Sequence, residues 1–110
     1  MQKVAVAARH AARADAPCPA PSAPLSKAMA IDLASRGIRA NTVAPTFIET
    51  PMTAAFLDDD EFRQRVLAKI KLGRLGRVED ITGAVVYLAS DASALMTGAS
   101  MVIDGGWTAE

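Results

Sequence analysis

Cysteine, histidine, tryptophan and tyrosine each occur once in these 110 residues, and each scarcity closes a class of function. A single thiol, Cys18, cannot form an internal disulfide, so a reducing cytoplasm is the expected setting. A single histidine, His10, beside that one cysteine does not make a metal centre, and no protein metal site is expected. Twelve basic and twelve acidic residues give a net charge of zero, which offers no electrostatic case for nucleic acid or an anionic membrane. No apolar run approaches the roughly 18 residues of a spanning helix. None of the seven glycines precedes Gly37, so no glycine-rich turn cradles a phosphate in the first third of the chain.

What is present reads as globular: 51% of the residues are hydrophobic, and the length suits one small domain or part of a larger one. The chain divides near residue 24. Residues 1–24 are rich in alanine, arginine and proline, with four prolines between Pro17 and Pro24. That density excludes a helix or central strand there and predicts a flexible, polyproline-like arm. Residues 2–14 are at most a marginal helix. The arginines with one acid, Asp15, also resemble a transit peptide, though serines are few.

Residues 25–110 form the folded part. Leu25, Met29 and Leu33 recur at helical spacing with Ala28 and Ile31 beside them, predicting a helix over 25–36. Gly37 supplies its left-handed end. Ile38–Val43 reads as a buried strand, stopped by Pro45. Residues 44–57 read as a loop. Asp58, Asp59 and Asp60 then cap a helix carrying Phe62, Val66, Leu67 and Ile70 on one face. Val78, Ile81, Val85 and Leu88 predict a third helix ending near Ser90, and Ser100–Ile103 a last short strand closed by Asp104-Gly105-Gly106. Two strands joined through helices are expected to run parallel. Parallel strands are normally buried on both faces, so this is the pattern of a piece of a doubly wound α/β domain.

In open α/β sheets ligands sit outside the carboxyl ends of strands, which points to the loop after Val43. The segments "GIRANTVAPTFIETPM", "SKAMAIDLASRGIR", "LGRLGRVEDITGAVVYLASDAS" and "TGASMVIDGGW" resemble, in order, the C-terminal part of the short-chain dehydrogenase/reductase family, from about Leu25 to Trp107. The likeness is greatest to members acting on sugars, sugar acids and 3-oxoacyl groups. It implies a Rossmann-like doubly wound parallel sheet of which this chain holds the last two strands and three helices. It implies hydride transfer between alcohol and carbonyl with NAD or NADP. The family's nicotinamide loop falls on Pro45, Thr46, Ile48 and Thr50, with Met52 nearby, and Thr46 stands where glycine is usual. Read without the resemblance, Thr50-Pro51 is a helix start, threonine capping and proline taking the first helical position. Residues 53–70 resemble the family's substrate lid; Phe56 and Phe62 suit a pocket wall or core packing equally. Asn41 matches a family asparagine tying strand to loop, a satisfied buried amide.

The same resemblance shows what is missing. The family's catalytic tyrosine and lysine would fall on Asp15 and Pro19, neither of which serves: proline does not ionise and an ordinary aspartate is a poor proton donor at neutral pH. Tyr87, the one tyrosine, lies on the third helix and reads as a packing or interface residue. The expectation is therefore a truncated member, inactive alone, with no catalytic residue of its own. The alternative is a non-catalytic fragment that self-associates through Val78–Ser90 and Ser100–Ile103, the family's interface segments. A separate chemistry based on Asp58, Asp59, Asp60 and Glu61 is less favoured than a solvated helix start. The residues that read the adenine ribose are not in this chain, so NAD and NADP stay undivided.

Overall fold

The computed structural model describes residues 3–8 and 22–109. In chain order its elements are β1 (Lys3–Ala8), α1 (Ser22–Ala34), β2 (Ile38–Pro45), α2 (Pro51–Leu57), α3 (Asp60–Lys69), α4 (Val78–Ala89), a single 3-10 turn Asp91–Ser93, and β3 (Ser100–Ile103). The sheet is parallel throughout, in the order β1-β2-β3.

The two expected strands are present and pair in parallel, Thr42 opposite Ser100 and Pro45 opposite Ile103. A third was not anticipated. Lys3–Ala8, expected as part of an arm or a marginal helix, runs in register with Ile38–Val43. An isolated short helix is marginal in water, whereas the exposed edge of β2 offers every residue of this stretch a ladder. The rest of the expected arm, residues 9–21, lies outside the described residues.

α1 starts three residues earlier than the periodicity indicated and takes in Pro24. Proline is tolerated in a first turn, where its absent N–H would have had no helical partner. The buried face is also different: Ser26 and Ala30 are buried, while Leu25 and Ile31 are exposed. The reason is close approach. A Cβ at Gly98 would stand 3.3 Å from the Ala30 methyl, so only small side chains fit between α1 and the segment entering β3. Gly37 has the left-handed φ of +67° expected of it.

The loop expected over 44–57 contains a helix. Thr50 caps α2: its hydroxyl accepts from the Thr53 N–H while the Thr53 hydroxyl accepts from the Thr50 N–H at 2.9 Å, and Pro51 opens the helix. Asp59 then caps α3, accepting from the N–H groups of Glu61 and Phe62. The hydrophobic cluster Phe47, Leu57, Val66, Ile70 and Leu75, with Phe62, Leu67 and Trp107 against it, joins these helices to the end of β2.

Arg39 was hidden inside a run read as apolar. It is 6% exposed, and its guanidinium donates to the carbonyls of Leu88 (2.9 Å), Ser90 (3.3 Å) and Met96 (3.1 Å) and to the Ser93 hydroxyl (3.1 Å). A cation here satisfies carbonyls that the end of α4 leaves open and meets its negative end. One charge inside an apolar strand was the available signal. Asn41 is the satisfied amide expected: Nδ2 donates to Met96 and Oδ1 accepts from Ala99.

Candidate functional site at the end of β2

Beyond Pro45 the chain stays extended for one more pairing. Ile48 forms an isolated parallel bridge with Gly76. Gly76 N–H donates to Phe47 C=O at 2.9 Å, and Glu49 N–H donates to Gly76 C=O at 2.8 Å. In such a bridge the neighbours of the central residue bond across, so the N–H and C=O of Ile48 itself point the other way. On that side the Ile48 carbonyl accepts the Thr53 hydroxyl, and no described residue accepts from the Ile48 N–H. Thr46 N–H is engaged, donating to Ile103 at 3.3 Å.

Beside the loop is a cleft of about 200 Å³. Thr46 and Ile48 line it from β2, Ile103 and Gly105 from β3, and Ile70, Leu72 and Ile81 complete its apolar wall. At its rim Arg74 and Asp80 form a two-pronged pair at 2.7 and 3.0 Å. Hydrogen bonding to Arg74, then to the Arg77 N–H, holds the Asp80 carboxyl well below the usual carboxylate range, and Arg74 is raised in turn. A side chain at Gly76 would meet the tip of Ile48, which would have to move aside.

Of the five residues expected in the loop, Thr46 and Ile48 meet at this cleft, while Thr50 and Met52 stand at the start of α2, Met52 exposed. Phe56 is exposed and Phe62 packs on the core, so the two do not share a wall. Sequence reasoning missed the pairing of Arg74 with Asp80: both lie in the family-like segment 72–93, but a pair six positions apart bridges a turn rather than a helix face. Tyr87 lies at the far end of the sheet, where its carbonyl accepts from Ser90 and Ser93 close to Arg39 at the start of β2. Among the described residues no group of three or more metal-binding side chains comes together, and no helix is long and apolar enough to cross a membrane.

The family model described as enoyl-(acyl carrier protein) reductase matches residues 20–108. The chain belongs to the short-chain dehydrogenase/reductase family. It is 49% identical over 81 residues to the 3-oxoacyl-[acyl-carrier-protein] reductase FabG of Escherichia coli K12, covering 74% of this chain and 32% of the relative. It is 44% identical over 85 residues to the 2-(R)-hydroxypropyl-CoM dehydrogenase of Xanthobacter autotrophicus, covering 77% of this chain and 34% of that one. The solved gluconate 5-dehydrogenase of Burkholderia cenocepacia, in complex with NADP and tartrate, superposes with a TM-score of 0.79 at 29% identity, covering 97% of this chain and 44% of that one. This short-chain dehydrogenase/reductase chain thus spans about a third of the length of the curated relatives it matches. The Rossmann-type parallel sheet expected from the sequence is the fold of these neighbours.

Proposed function

We propose that residues 45–52 form the nicotinamide-side loop of an NAD(P)-dependent oxidoreductase acting between an alcohol and a carbonyl. Sugar, sugar-acid and 3-oxoacyl compounds are the substrate class. The observation that carries the reading is the Ile48 edge: an N–H with no described partner, turned away from the Gly76 bridge beside the capped start of α2. A carboxamide fits it, accepting from the Ile48 N–H through its oxygen and donating through its amide to the adjoining carbonyl. Pro45 ends the ladder there, Thr46 sets the loop's path through its bond to Ile103, and Thr50 and Met52 flank the group from α2. When bound, the nicotinamide supplies the hydride chemistry.

The isolated chain does not turn over. Its one tyrosine is at the wrong end of the sheet, and proton transfer needs a group within hydrogen-bond reach of the carbonyl. Titration of the chain with nicotinamide mononucleotide, followed by amide NMR, tests the loop. Shifts centred on Ile48 and Thr50 are expected; an unmoved Ile48 amide overturns the assignment. Reduction of a 3-oxoacyl thioester by the chain and NADPH alone would overturn the inactivity.

A second role has its own support. Val78, Val85, Val86 and Tyr87 of α4 and Val102 of β3 are exposed, and a helix this apolar is usually covered. Self-association through Val78–Ser90 and Ser100–Ile103 answers that exposure; a monomer by light scattering across the micromolar range would exclude it.

A further inference from the structure

The cleft at the ends of β2 and β3 has a polar group with nothing to do. Thr46 is 6% exposed, yet no described residue bonds its hydroxyl. The oxygen is not sealed inside the protein, as that of Thr42 is. The open space that Thr46 lines is the cleft, so a ligand there meets a hydroxyl that no described residue bonds.

The surroundings specify that ligand. Ile48, Ile70, Ile81 and Ile103 make most of the wall apolar. The charges at the rim cancel, Arg74 being held by both oxygens of Asp80. Glu79 and Asp80 occupy the first turn of α4, so the helix start is already neutralised and does not invite an anion. At about 200 Å³ the space lies below the roughly 300–1,000 Å³ of drug-sized sites. We infer that this cleft is a binding site for a small neutral alcohol or ketone, its apolar body against the isoleucines and its oxygen on the Thr46 hydroxyl. The site is distinct from the Ile48 edge: it opens on the β3 side of the loop, whereas the Ile48 carbonyl faces Thr53 of α2. It exists because threonine, and not a residue without a side chain, occupies position 46.

The test is amide NMR of the full chain titrated with cyclohexanol, with cyclohexanecarboxylate as the charged counterpart. Saturable shifts at Thr46, Ile81 and Ile103 are expected, with the carboxylate at least about tenfold weaker. Thr46→Val keeps the shape and removes the hydroxyl, and should weaken cyclohexanol about tenfold, the value of one hydrogen bond. Thr46→Ser keeps the hydroxyl and should retain most of the affinity, which separates lost bonding from a disturbed loop. Equal affinity in wild type and Thr46→Val, equal loss in Thr46→Ser and Thr46→Val, or shifts confined to the outer face of α4, would overturn the assignment. None of these outcomes depends on whether nicotinamide mononucleotide moves Ile48.

Discussion

Phe47 meets Phe62 edge to face, ring centroids 5.9 Å apart and planes at 75°. Phe47 lies in the segment between β2 and α2 and Phe62 on α3, so this contact couples that segment to α3. Trp107 completes the clasp, 5.7 Å from Phe47 with Lys69 over its ring at 5.4 Å. Phe62→Ala should destabilise the chain by about 2–3 kcal/mol, less than the roughly 3–5 for a fully buried phenylalanine. Urea unfolding measures the loss. Emission from Trp107, the one tryptophan, should shift to the red in the folded variant as its surroundings loosen.

Thr42 presents the opposite case to Thr46. It is 1% exposed and its hydroxyl oxygen is sealed without a hydrogen-bond partner. Thr42→Val keeps the shape and removes the unsatisfied group, so it should be neutral or stabilising by up to about 1 kcal/mol. A clear loss of stability by thermal or urea unfolding would show that the hydroxyl has an uncounted partner.

Arg39 holds the Leu88 and Ser90 carbonyls at the end of α4, sharing both with the Ser93 hydroxyl. Arg39→Met should cost about 3 kcal/mol or more, because buried carbonyls lose charge-assisted bonds. Arg39→Lys should recover only part of this, since an ammonium cannot span the fork of acceptors. Amide exchange should accelerate first at Ser90–Met96, and uniform acceleration across the chain would contradict the local role.

Two carboxylates make stability acid-sensitive. Burial opposes the Asp104 charge, but the hydroxyl and N–H of Thr108 and the N–H of Gly106 outweigh it, so its pKa lies below the ordinary value. Asp80 is lowered by Arg74 and the Arg77 N–H. A depressed folded pKa contributes stability that is present above the unfolded value, about 3.9, and is lost as pH falls through the folded one. Stability should therefore decline below about pH 4. Asp104→Asn should be less stable at pH 7 and show a shallower decline in acid, read from urea midpoints.

Much of the fold was legible in one dimension. β2, β3 and α4 announce themselves by apolar periodicity, which is a property of spacing along the chain and survives any packing. The capping of α2 by Thr50 and Pro51, and of α3 by Asp59, is local chemistry of neighbouring backbone groups. The order of the motifs was enough to identify the family and to indicate the loop after β2. Tertiary structure alone decided the rest. β1 exists because β2 has an edge to offer, and pairing energy between distant segments leaves no mark on the composition of either. α1 buries Ser26 and Ala30 because Gly98 comes close, a matter of distance across the fold. Arg39 and Asp80 matter through partners brought together by the fold, and Thr46 is a candidate binding group because no described residue bonds its hydroxyl at the cleft. Spacing along the chain reveals which faces are apolar, but which polar group ends up without a partner depends on every element packed around it.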